Sequence, residues 1–115
     1  MTEEQHIYYE ERAKIIAAMA HPTRLFILDE LLKGEQCVCQ LAEMIGHDVS
    51  TVSKHLTIMK NVGLIKSHKQ GTTVYHSVMI PCVKSFFSCV ENVLQQSLSQ
   101  KICAMQATGQ SESGR

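Results

Sequence analysis

A mainly α-helical chain carrying a small β-hairpin is the fold class this sequence predicts, on three observations. Apolar residues recur at helical spacing through residues 7–32 and again after Pro81. Two short helical stretches meet across Gly46-His47-Asp48, the layout of a helix-turn-helix. Directly after them, strand-forming residues flank Lys69-Gln70-Gly71-Thr72, a hairpin signal. Together these predict a winged helix-turn-helix.

The elements follow in order. Ile7, Tyr8, Ile15, Ile16 and Met19 mark an amphipathic first helix over 7–19, ended at His21 because a residue before proline is pushed out of the helical region. Pro22 or Thr23 opens a second helix carrying Leu25, Phe26, Leu28, Leu31 and Leu32, closed by Gly34. A third runs roughly from Cys37 to Ile45. The fourth spans about Val49 to Asn61, with Asp48 or Ser50 as its N-cap. Gly63 stops it, and Ile65–His68 and Thr73–Val78 read as the hairpin strands. Pro81 restarts a helix whose apolar stripe is Val83, Phe86, Phe87, Val90, Val93 and Leu94. One domain is expected over 1–105, with 106–115 a polar, disordered tail.

Composition narrows the function. Apolar residues make up 44% and charged residues 19%, a globular balance with no run long enough to span a bilayer. The acidic, polar start is no signal peptide, so a cytoplasmic protein with no membrane partner is expected. Five cysteines in a reducing compartment read as thiols and not as disulfides. Net charge is zero, yet residues 36–80 hold Glu43 and Asp48 against Lys54, Lys60, Lys66 and Lys69. That excess falls where a DNA-facing surface is needed. The chain lacks a nucleophile–histidine–carboxylate arrangement and a phosphate-cradling glycine loop, so it is not expected to be an enzyme.

The packing logic of the helix-turn-helix selects the DNA-facing residues. Leu41, Ala42 and Ile45 must meet Val52, Leu56 and Met59. Helical geometry then turns Ser50, Thr51, Ser53 and Lys54 outward at the N-terminal end of the second helix, the end that enters the major groove. His55 joins this group, and Lys66, His68 and Lys69 on the hairpin are placed to reach flanking phosphates. One short recognition helix is a small footprint on double-stranded operator DNA. Pairing of the first and last helices across a two-fold axis, as a homodimer, would set two side by side.

Several stretches resemble the ArsR/SmtB family of metalloregulatory repressors. They are Ala20-His21-Pro22-Thr23-Arg24-Leu25, Gly34-Glu35-Gln36-Cys37-Val38-Cys39-Gln40-Leu41-Ala42, Ser50-Thr51-Val52-Ser53-Lys54-His55-Leu56 and the wing Lys69-Gln70-Gly71-Thr72-Thr73-Val74-Tyr75. The resemblance covers roughly residues 10–95. It implies a homodimer that represses transcription in the metal-free state and leaves its operator when metal binds. Cys37 and Cys39 match the family's Cys-Val-Cys inducer box, which implies arsenite or antimonite as inducer, with cadmium or lead as alternatives. The chain also departs from the family patterns. Ala42 stands where arsenite sensors have a further cysteine, the N-terminal arm holds no cysteine, and residues 81–105 contain no His or Asp for a zinc site.

Thiolates are soft ligands, and pyramidal arsenite needs three of them. Residues i and i+2 of a helix point to nearly opposite sides. Cys37 and Cys39 can therefore share one ion only if Cys37 precedes the first helical turn or that turn unwinds. The third ligand is expected from Cys89, with Cys82 and Cys103 as alternatives. A thiol-redox or reactive-sulfur-sensing repressor of the same fold is the second reading, and a protein-interaction module with structural cysteines the third.

Overall fold

In the computed structural model, residues 1–109 are described, with side chains to residue 105. The chain divides into two units, Met1–Pro81 and the segment from Cys82 onward. The first runs α1 (Glu3–Met19), α2 (Pro22–Lys33), β1 (Gln36–Cys37), α3 (Val38–Ile45), α4 (Val49–Asn61), β2 (Ile65–Gln70) and β3 (Thr73–Val78). The second is α5 (Val83–Gly109).

α1 starts four residues before the apolar pattern does, because a capping box builds its first turn. Thr2 Oγ1 accepts from the Gln5 N–H at 3.1 Å, and Gln5 Oε1 accepts from the Thr2 N–H at 2.8 Å. In α2 the cap is a histidine: His21 Nδ1 accepts from the Thr23 N–H at 3.1 Å, with Pro22 opening the first turn. Gly46 closes α3 at φ +87°, a left-handed conformation that lets the chain turn at once into α4.

The core is the expected one with additions. Leu41 and Ala42 of α3 are buried, as are Val52, Leu56 and Met59 of α4. Ile27, Leu28 and Leu31 of α2 join them, and Leu64 and Ile65 seal the wing end. Ile45, expected inward, is only half-buried.

The sheet differs from the sequence expectation in two ways. β2 runs on to Gln70, because Lys69 pairs with Val74 and Gln70 with Thr73 across a turn of only Gly71 and Thr72. Gly71, at φ +67°, supplies the left-handed backbone that so tight a turn requires. The sheet also has three strands, in the order β1-β3-β2, all antiparallel. β1 is two residues long, with Gln36 opposite His76 and Cys37 opposite Tyr75. So short a strand carries no periodic signal.

α5 begins at Val83, two residues after Pro81, and continues to Gly109, four residues past the expected end of the domain. Among its residues, Phe87, Val90, Leu94, Leu98, Ile102 and Met105 recur at helical i+3/i+4 spacing, extending the stripe beyond Leu94. The disordered tail expected for residues 106–115 overlaps α5 as far as Gly109, and its remainder, 110–115, lies outside the described residues.

Candidate nucleic-acid interface and thiol site

The N-terminal turn of α4 is organised around a carboxylate. Asp48 caps the helix in extended backbone, and the Ser50 hydroxyl donates to its Oδ2 at 2.8 Å. Hydrogen bonds from the Thr51 and Ser50 hydroxyls hold its carboxyl below the usual carboxylate range. The Ser50 and Thr51 hydroxyls are thus held by the capping carboxylate. Lys54 is exposed and makes no ion pair among the described residues. Ser53 is half-buried, and its carbonyl accepts from the Thr57 hydroxyl at 2.9 Å.

His55 is placed differently from its neighbours. Its Nδ1 accepts from Arg24 Nε at 3.1 Å, and its ring lies 4.7 Å from that of His21. Arg24 also donates to the Ala18 carbonyl at 3.4 Å. The cluster ties α4 to the end of α1 and the start of α2. Burial pushes the His55 pKa below its ordinary value, and the charges of His21, Arg24 and His47 push the same way. His55 therefore serves as the acceptor that joins α4 to α2. The sequence reading missed this role because Arg24 and His55 are 31 residues apart.

On the wing, Lys66 and His68 share one face of β2 and Lys69 lies on the other. Lys69 is two residues from the turn; Lys66 and His68 lie along the strand and not at the tip. His68 stacks on Tyr75 at 5.9 Å, and its Nε2 stands 3.6 Å from Glu35 Oε2. Lys60, which no motif singled out, donates from Nζ to Ser67 Oγ at 2.8 Å and so joins α4 to the wing.

The thiol site sits at the other end of the helix-turn-helix. Cys37 ends β1 and serves as the N-cap of α3, at φ −90° and ψ 163°. Its N–H donates to Gln40 Oε1 at 3.1 Å. Of the two ways Cys37 and Cys39 could converge, the structure has the first: Cys37 precedes the helical turn. Cys37 is half-buried, Cys39 is exposed, and both are free thiols. Among the described residues of the first unit, no three His, Cys, Asp or Glu side chains gather as a metal site. In the second unit Cys82 precedes α5, and its carbonyl accepts from the Ser85 N–H at 3.1 Å. Cys89 and Cys103 are exposed on α5, about 21 Å apart along its axis by helical rise.

Residues 21–67, from the cap of α2 into β2, match the model of the arsR family of bacterial regulatory proteins. An HTH-type transcriptional regulator of Methanocaldococcus jannaschii, MJ1325, is 35% identical over 86 residues, covering 74% of this chain and 97% of that one. The chain belongs to the arsR family. A homolog of the SmtB transcriptional repressor from Synechocystis is 33% identical over 76% of this chain and 67% of its own. A homolog of the cadmium resistance regulator CadC from Staphylococcus aureus is 42% identical over 57% of this chain and 55% of its own. Among solved structures, NolR from Sinorhizobium fredii superposes with a TM-score of 0.75 at 31% identity, covering 81% of this chain and 93% of that one. The homodimeric winged helix-turn-helix DNA-binding domain of Mb0332 from Mycobacterium bovis gives 0.76 at 28%, covering 87% and 93%. Reduced HlyU from Vibrio cholerae gives 0.68 at 26%, covering 80% and 97%. The arsR-family fold here is a mostly helical, DNA-binding winged helix-turn-helix of a transcriptional regulator. No helix among its described residues is long and apolar enough to cross a membrane.

Proposed function

We propose that this arsR-family chain is a homodimeric repressor that binds operator DNA through α4 and the wing and leaves it when arsenite or antimonite binds its thiolates. The single observation that carries this reading is the position of Cys37. It holds the joint between sheet and helix-turn-helix, with Cys39 inside the first turn of α3. An ion gripped by both sulfurs pulls on that joint. β1 then shifts against β3, or α3 loses its first turn, and either change moves α3 relative to the recognition helix.

The chemistry balances simply. Arsenous acid exchanges three As–O bonds for three As–S bonds, and each thiol proton leaves with a hydroxyl as water. Cys37 and Cys39 fit two of those bonds. The third falls to Cys89 first, then to Cys82 or Cys103. Cadmium and lead are the alternative inducers, and the similarity to a cadmium resistance regulator, the CadC homolog, supports cadmium. On the DNA side, Ser50, Thr51, Ser53 and Lys54 read the groove, while Lys66, His68 and Lys69 meet phosphates. The apolar stripes of α1 and α5 form the dimer interface.

A second reading has one specific support: a structural neighbour, HlyU, was solved in a form described as reduced. Here two cysteine thiols would give up two electrons and two protons to a peroxide, yielding a disulfide and two waters. Titration of an operator complex with arsenite, antimonite, cadmium, lead and zinc, and separately with peroxide, separates the readings. Release by about three thiolates' worth of arsenite, reversed by excess dithiol, supports the first. Release by peroxide and none by any metal overturns it in favour of the second.

A further inference from the structure

We infer that the cavity between α4 and the wing strands is a binding site for the phosphoryl group of a small organic anion. The cavity measures about 310 Å³, at the lower end of the range small-molecule sites occupy. Its polar lining is Ser53, Thr57 and Lys60 from α4 with Ser67 and His76 from the sheet; every other lining residue is apolar, and none is acidic.

The donor inventory favours an anion. Lys60 spends one ammonium proton on Ser67 Oγ, so that hydroxyl keeps its own proton to give, and two ammonium protons remain. Ser67 and His76 are direct cross-strand partners, which puts their side chains on one face of the sheet. His76 Nδ1 is buried and has no hydrogen-bond partner, alone in this among the side-chain atoms of the described residues. A buried polar group left unpaired is costly, and a native structure rarely leaves one without a use. The Thr57 hydroxyl is committed to the Ser53 carbonyl, which leaves the Ser53 hydroxyl as a further donor. Lys60, Ser53, Ser67 and His76 thus approach from a helix and a sheet, an arrangement that suits the several oxygens of a phosphoryl group better than the two of a carboxylate.

Val38, Leu56 and Val74 give the cavity apolar walls for an organic substituent. Burial and the Lys60 charge both hold the His76 pKa below its ordinary value, and a bound anion would reverse the second effect. Position gives the site a consequence. Val38 lies between Cys37 and Cys39, and Ser53 lies on the recognition helix, so an occupant touches both the thiol joint and the DNA-reading element.

The same oxyanion chemistry has a second source, the DNA backbone, and one experiment separates the two. The full chain, with its histidine rings isotope-labelled, is titrated without DNA with inorganic phosphate and with phenyl phosphate at millimolar concentrations. The His76 ring resonances are expected to move saturably, with phenyl phosphate the tighter ligand and His6 unmoved. Lys60→Met should weaken binding at least about tenfold. His76→Gln, which keeps a hydrogen-bonding side chain and is read by titration calorimetry because the ring is gone, should weaken it as well and guards against a folding defect in the lysine variant. Resonances that stay still with both phosphates but move on adding an operator duplex overturn the small-ligand site and assign the contact to DNA. Resonances that respond to neither overturn the site altogether.

Discussion

α4 and α5 are both amphipathic helices, yet they use their apolar faces in opposite ways. α4 buries Val52, Leu56 and Met59 almost completely within its own unit. α5 leaves Val90 51% exposed, and Leu94, Leu98, Ile102 and Met105 are exposed beside it along the stripe. α1 resembles α5: of its seventeen residues only Ala18 and Met19 are buried, and Ile7, Tyr8, Ile15 and Ile16 face outward. The helix-turn-helix therefore carries its own core, whereas the two long helices carry apolar surface that a single chain leaves uncovered. Patches of this kind mark association surfaces. The contrast separates a part whose stability belongs to the chain from a part that, in the proposed dimer, would be stabilised by the partner.

The largest effect should come from breaking the first half of that contrast. Leu41→Ala or Leu56→Ala removes a buried side chain and should cost about 2–5 kcal/mol of stability, read by thermal or denaturant unfolding. Leu98→Ala should cost far less in dilute monomer, and its effect should grow with protein concentration. Equal costs at every concentration would erase the distinction.

The second half is tested by a charge on the exposed stripe. Val90→Asp should shift sedimentation from dimer to monomer and weaken operator binding on the order of a hundredfold, since two linked recognition helices become one. A wild-type chain that sediments as a monomer at micromolar concentration would remove the dimer from the account.

Smaller effects sharpen the DNA face. Lys54→Glu should weaken operator binding at least about tenfold with helicity unchanged by circular dichroism. Lys69→Gln should weaken binding to all sequences alike and lower the salt dependence by about one counterion. Variants that bind as tightly as the wild type would move the interface away from α4 and the wing.

The smallest expected effect is a pH dependence. His55 is held below its ordinary value near 6.5 in the folded chain, so the unfolded chain binds more protons once pH falls past that value. Its contribution is present in full above that pH and is lost as pH drops through the lower, folded value. Arg24→Gln removes one cationic neighbour and weakens the joint, so it should alter the low-pH loss seen in melting temperature.

Much of this was legible in the chain because the signals were local. The helix-turn-helix could be read from Gly46 and the apolar pairs on either side, and each of its helices ends within a residue of expectation. What escaped the reading was non-local or too short to repeat. β1 is two residues whose only signature is pairing with β3, though it decides that Cys37 is extended. The Arg24–His55 and Lys60–Ser67 contacts join elements that no periodicity connects. The proposed site divides likewise: Ser50, Thr51 and Lys54 could be selected from helical geometry, and Cys37 and Cys39 from the family resemblance. The roles of His55 and His68 depend on neighbours brought in by folding.

The account rests on Cys37 and Cys39 as the switch, and the most direct measurement is fluorescence anisotropy of a labelled operator duplex titrated with arsenite. Cys37→Ser and Cys39→Ser should bind the duplex nearly as the wild type does, because serine preserves shape, and should fail to release it, because one remaining thiolate is too few. Among Cys82→Ser, Cys89→Ser and Cys103→Ser, one should be equally silent, with Cys89→Ser the expected one, and the other two should respond. Full arsenite response in both Cys37→Ser and Cys39→Ser would contradict the account and move the site to the second unit.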